Sequence, residues 1–266
     1  MLLTSIAPRP IGFVSTTDLA GNINLSPFSF YNVFSSNPPI LIFSPARRGR
    51  DSTTKHSYEN VKEVPEAVVN VVNYPIVQQM SLASTEYDKG VNEFVKSGLT
   101  EAPSDTVRPP RVAESPLSFE CRVEQVMELG QSGGAGNLVI CNIQIIHLNE
   151  KYLDENGKLD TGKLDLVARM GGDLYCRAIP EAMFELHKPL KSKGIGVDAL
   201  PMHVRQSKIL TGNDLARLGN MEKVPNVQEL SKSGTVNYTD RQEQHLMVLR
   251  LLEKGKAQEA LQLCFM

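Results

Sequence analysis

The chain has 266 residues, 41% of them hydrophobic, enough to bury a sizeable core in one large domain or in one domain with an extension, so disorder is not the default. Its 28 basic and 30 acidic residues leave a formal charge of −2, which supplies no global field for nucleic acid or an anionic membrane; any anion site has to be local. Met1 to Pro8 carry neither a basic n-region nor an apolar run long enough for a signal peptide, and no stretch approaches a membrane span, so a soluble cytoplasmic protein is expected, with no nucleic-acid or membrane partner.

In chain order, strand signals dominate the first two thirds. Residues 11–17, 23–28, 40–44, 67–74, 117–129 and 138–148 are rich in Val, Ile and Phe and are bounded by turn residues, with Asp18 to Asn22 as a hairpin turn. Helical pattern appears only in short pieces, at 57–64, 75–83 and 91–96. Regular βαβ alternation is missing, which predicts a mostly β fold: an antiparallel barrel decorated with helices. From about Lys191 the chain turns polar and is punctuated by Gly194, Gly196, Pro201, Gly212, Gly219, Pro225 and Gly234, so it is expected to pack little by itself. An amphipathic helix over 240–253 follows, with Asp240 or Thr239 as N-cap and Leu246, Leu249 and Leu252, with Met247 and Leu251, on one apolar face. The predicted division is a domain at 1–190 and a C-terminal helical extension at 191–266.

Several patterns that resemble chemistry have plainer readings. Cys121, Cys141, Cys176 and Cys264 are widely separated and form no Cys-x-x-Cys pair, so they are expected as small buried hydrophobes. The histidines His56, His147, His187, His203 and His245 lack metal-ligand spacing, and no metal is expected. Gly130 to Gly134 satisfy G-x-S-x-G, but a second strand follows instead of a helix, which favours the loop of a long hairpin over a nucleophile elbow. Asp154 to Lys158 lack the distal glutamate of a calcium loop and are expected as a solvated turn.

Ser44 to Lys55 place three arginines and several hydroxyls between a strand end and a helix start, a setting suited to a phosphate. The alternative is a solvated basic loop in which Ser52, Thr53 or Thr54 merely caps the helix. The hairpin of Ala7 to Asp18 and Gly21 to Phe30, with Asn37 to Ile40, is rich in hydroxyl and amide groups for paired strands. Such groups need partners; the pyrimidine edge of an isoalloxazine would supply them, or they satisfy one another around the turns.

The succession APRPIGFVSTTD, GNINLSPFSFYNVFSSNPPI, RGRDSTTKHSYEN and ARMGGDLYCRA resembles the flavin reductase-like family of FMN-binding split barrels, flavoredoxin type, over roughly residues 5 to 180. The resemblance implies a homodimer holding FMN non-covalently. Ser15, Thr16, Asn24 and Ser26 would line the flavin, and Arg47, Arg50, Asp51 and Thr53 would form the phosphate loop, with Asn60 in the helix behind. Arg9 and Pro10 would lie near the ring, and Arg169 and Gly171 would approach it late in the chain. The family's tighter Lys-Asp-Thr is replaced here by Arg50-Asp51-Ser52-Thr53-Thr54, and the residues from Lys191 onward lie beyond the resemblance. The implied activity is an NAD(P)H-dependent oxidoreductase passing electrons through FMN to a flavin or protein acceptor, with no catalytic side chain assigned. The alternative is a non-catalytic FMN-binding sensory or interaction protein.

Overall fold

The computed structural model describes residues 2–186, 193–225 and 240–266. The chain divides into two compact units, Met1–Phe184 and Glu185–Met266. The expected boundary at Lys191 lies outside the described residues, as do Thr239, Gly234 and His187.

In the first unit the strands are β1 Arg9–Pro10, β2 Gly12–Thr17, β3 Ile23–Phe28, β4 Tyr31–Ser36, β5 Pro39–Phe43, β6 Glu66–Val71, β7 Glu101–Ala102, β8 Arg111–Val112, β9 Leu117–Glu128, β10 Asn137–Leu148, β11 Val167–Gly171 and β12 Leu174–Arg177. Seven of them form one sheet in the order β3-β2-β6-β9-β10-β5-β4, beside a three-stranded sheet β1-β11-β12, and every pairing is antiparallel. The expected mostly β, antiparallel class with short helices is the one observed. All six residues of β2 are buried, because both sheet faces are covered. Phe13 joins Leu25, Met80 and Phe94 on one side, while Val14 joins Phe43, Val69 and Val139 on the other. Sequence reading missed β4, whose side chains are largely exposed, and the short β1, β11 and β12, which carry too few residues for a period-2 signal.

The segment 103–112 has little regular structure, and acceptors buried on β6 and β9 bind its amides. Glu66 accepts from Arg108 N at 2.7 Å, and Asn70 Oδ1 accepts from Val112 N at 2.9 Å. Glu120, fully buried, accepts from Asp105 N and Thr106 N, both at 2.7 Å, and from Thr106 Oγ1 at 2.6 Å. These bonds satisfy backbone donors that would otherwise be orphaned against the sheet.

The second unit corrects an expectation, because it has a core of its own. Leu200, Val204, Leu210, Leu218, Val248, Leu252, Ala260, Leu261 and Cys264 form one buried cluster. Gly194 and Gly219 are close-approach positions, not linker residues: a Cβ on Gly219 would meet Gly196 C and Val197 N at 2.9 Å. The helix Arg241–Glu253 forms as expected, capped by Asp240, which accepts from Gln242 N. Its buried positions are Gln244, His245, Val248 and Leu252, whereas Leu246 is exposed. The rest of the expected apolar face does turn inward, with Leu252 buried and Met247, Leu249 and Leu251 packed against the same core, and two polar side chains find partners inside beside it. Gln244 Nε2 donates to Leu263 O at 2.7 Å. His245 Nε2 lies 3.1 Å from His203 Nδ1, with ring centroids 5.4 Å apart and planes within 1°, which sets the rings edge to edge in one N–H···N bond.

Burial first, then the charge of Arg241, holds both imidazoles below the usual histidine range. Their folded-state affinity for protons is lower than in the unfolded chain, so their contribution to stability is present above about pH 6.5 and is lost as pH falls through the folded-state values. Urea unfolding should therefore show lower stability at pH 5.5 than at 7.5, and His203→Gln should flatten the part of that slope carried by the pair. An unchanged slope in the variant would show that these rings do not titrate on unfolding.

Candidate functional site

The loop after β5 leads into the helix His56–Glu63, whose N-cap is Lys55 and which no side chain caps. The expected capping hydroxyls are engaged elsewhere: Thr53 Oγ1 donates to Asp51 at 2.6 Å and Thr54 Oγ1 to Glu59 at 2.8 Å. The first turn therefore presents amides without a side-chain acceptor, together with the positive end of the helix dipole.

Two cations of this loop flank that turn in a cleft lined by Asn24, Ser26, Arg48, Lys55, His56, Ser57, the segment Ser84 to Tyr87, and Glu93. The guanidinium of Arg48 donates to Thr54 O and to Thr53 Oγ1. Its Nε is buried and, among the described residues, has no hydrogen-bond acceptor; Glu86 Oε1 stands 3.3 Å away without hydrogen-bond alignment. The Lys55 ammonium sits 5.5 Å over the Phe28 ring, and desolvation, reinforced by the charge of Arg48, pulls its pKa down.

The residues anticipated for the phosphate occupy the loop's other side. Arg47 donates to Gly130 O at 3.3 Å and to Ser52 O at 3.2 Å, and pairs with Glu128 at 3.6 Å, tying the loop to the β9–β10 hairpin. Gly133, at the second variable position of G-x-S-x-G, serves that contact, since a Cβ there would meet Gly49 O at 2.8 Å. Arg50 is 70% exposed and pairs with Asp51 and Glu86. Asp51 accepts from Thr53, which holds its carboxyl at about 2. None of Arg47, Arg50, Asp51 and Thr53 lines the cleft; Arg48 and Lys55 do. The quoted segment contained both, but an irregular loop has no period from which to read which side chains point inward.

The hairpin residues divide. Asn24 and Ser26 reach the cleft; Asn24 Nδ2 donates to Glu93 at 2.7 Å and its Oδ1 accepts from Ser57 at 2.6 Å. Ser15 and Thr16 are fully buried and satisfied by protein, Ser15 Oγ donating to Pro110 O at 2.5 Å and Thr16 Oγ1 accepting from Asn60 at 3.1 Å. For these two the reading in which polar groups satisfy one another holds. Arg9 is likewise buried, donating to Leu3 O and to Ile6 O, while Pro10 borders a separate groove of about 300 Å³ with Phe30, Tyr31 and Phe34. Arg169 lines a third cleft of about 580 Å³ with Tyr74, Gln78, Tyr175, Cys176 and Arg177, and Ser84 borders both this cleft and the cationic one. Gly171 has φ 135° and lies against Thr4, where a Cβ would meet Oγ1 at 2.8 Å.

The third dimension also assembles Asp105, Glu120 and His147, with candidate ligand atoms within 4.8 Å. Both Glu120 oxygens already receive donors, and His147 Nε2 stands 2.6 Å from Oε1, so Glu120 fastens the loop to the sheet. Three cysteines are buried as expected, whereas Cys176 is half-buried at the third cleft.

Comparison with known proteins agrees with this architecture. Residues 4–163 match the family described as Flavin reductase like domain. The protein BH2278 of Halalkalibacterium halodurans is 36% identical over 176 residues, 66% of this chain and 84% of its own length. Among solved structures, nitrilotriacetate monooxygenase component B from Bacillus cereus superposes with a TM-score of 0.64 at 27% identity, covering 70% of this chain and 90% of that one. A protein with a split barrel domain from Shewanella frigidimarina gives 0.60 at 27%, with the same coverage.

Proposed function

The chain belongs to the flavin reductase-like family of split-barrel proteins, and from that premise we propose that it binds FMN and passes electrons from NAD(P)H through it to a flavin or protein acceptor. The observation that carries the reading is the uncapped helix start flanked by Arg48 and Lys55, with Arg48 Nε buried and, among the described residues, lacking an acceptor. A terminal phosphate fits that donor set: it accepts from the guanidinium, the ammonium and the free amides at once. Held by Arg48, Lys55 and the helix amides, FMN would supply two-electron redox chemistry between a nicotinamide donor and the acceptor.

The protein's own part is binding and positioning. Arg48 and Lys55 hold the phosphate, and Ser26 and Asn24 border its approach on β3. Across Ser84, the half-exposed Tyr74 and Tyr175, with the Arg177 and Arg169 guanidinium groups over their rings, line a cleft that would suit a flat, partly polar ring system. No side chain has to move a proton for such a transfer, in keeping with the absence of an assigned acid or base. Anaerobic addition of NADH and of NADPH to the FMN-loaded protein is expected to bleach the flavin band. Persistent colour with both donors would leave the non-catalytic flavin-binding reading.

A homodimer belongs to the same proposal. Strand β4 ends the seven-stranded sheet with Val33 55% and Phe34 65% exposed, an apolar face that an obligate interface would consume. Light scattering should give twice the chain mass for the wild type and a single chain mass for Phe34→Glu; a monomeric wild type that binds FMN tightly contradicts the dimer. Among the described residues no helix is long and apolar enough to cross a membrane, and a cytoplasmic location is proposed with the reductant that resides there.

A further inference from the structure

We propose that Glu86 is a specificity-determining residue of the cationic cleft: an internal counter-anion that a ligand's phosphate has to displace, so that only a doubly charged group is held well. The proposal rests on the phosphate-binding reading of that cleft. Two carboxylates line it, and they differ in how they are held. Glu93 is buried and fixed, accepting from Asn24 Nδ2 at 2.7 Å and from Leu25 N, on the free edge of β3, at 2.8 Å. Glu86 instead meets only arginines among the described residues, with Oε1 3.3 Å from Arg48 Nε and Oε2 2.8 Å from Arg50 Nη2.

Its side chain is 45% exposed, and it lies in the segment between the helices Val77–Leu82 and Glu93–Ser97, where the backbone has no regular structure. Arg50, its other partner, is 70% exposed and projects from the outer side of the loop. The carboxylate therefore stands where an acceptor for Arg48 Nε is wanted, yet without hydrogen-bond alignment, so it neutralises charge and leaves the donor unsatisfied. An incoming phosphate meets Arg48 better aligned but suffers repulsion from Glu86 until that side chain swings out with Arg50. A neutral ligand gains nothing from the exchange, and a singly charged one gains little.

Removing the charge removes the competition. In the purified full-length chain, Glu86→Gln and Glu86→Ala are expected to bind FMN about tenfold more tightly than the wild type, with riboflavin affinity unchanged. The dissociation constant of inorganic phosphate, obtained by competition against FMN, should fall by a similar factor in both variants. Flavin fluorescence titration reads all three quantities without turnover. FMN preferred over riboflavin by the wild type, but with no gain or a loss in both variants, overturns the role of Glu86 alone. Equal binding of FMN and riboflavin by the wild type overturns the phosphate reading and this proposal together.

Discussion

Lys55→Met should weaken FMN binding by about ten- to a hundredfold, the range expected for losing one charge-assisted contact, while leaving riboflavin binding unchanged. Methionine retains an unbranched apolar stem to pack over Phe28, so the substitution removes the ammonium with little change in packing. The variant should also lose a pH dependence. Desolvation lowers the Lys55 pKa from the usual lysine value of 10.5, so the wild type should release FMN as pH rises, beginning below the range of a surface lysine. Lys55→Met should lack that alkaline limb. Affinities measured by fluorescence quenching from pH 7 to 10 decide it; identical FMN curves for the two proteins would remove Lys55 from the site.

Glu120→Gln should cost on the order of 3 kcal/mol of stability at neutral pH without touching the cationic cleft. Burial pushes the Glu120 carboxyl up, but bonds from Thr106, the Asp105 amide and His147 outweigh it and hold the group at about 2. The folded-state value is thus below the unfolded one, so the contribution is present above about pH 4.5 and is lost as pH falls toward 2. Glutamine fails because its NH2 faces a second donor where the carboxylate accepted. Urea unfolding at pH 7 measures the loss, and repeating it at lower pH should find wild type and variant converging. A variant as stable as the wild type would mean that segment 103–112 does not depend on this acceptor.

How far the sequence carried differs by region, for physical reasons. The long strands β2, β3, β6, β9 and β10 were legible because they combine β-branched content with turn residues at both ends. Strand β4 was not, since its apolar side chains face outward and resemble an exposed patch more than a strand. The second unit was misread because glycines at Gly194, Gly196 and Gly219 resemble a linker, whereas they let two backbones touch. At the cationic cleft, the motifs supplied some of the lining residues but not all of them. Asn24 and Ser26 sit on a strand whose alternation fixes where side chains point, whereas Arg48, Lys55 and Glu86, which line the same cleft, sit on irregular backbone that gives no such signal. The Asp105, Glu120 and His147 cluster joins residues up to 42 positions apart and had no local signal.

The uncapped helix start with Arg48 and Lys55 is proposed to receive the phosphate of a mononucleotide flavin. Parallel titration of the full-length wild-type chain with FMN and with riboflavin, followed by the flavin's own fluorescence at fixed ionic strength, tests it most directly. FMN should bind at least about tenfold more tightly, as loss of a charge-assisted contact requires. Equal affinity for the two flavins would contradict the account.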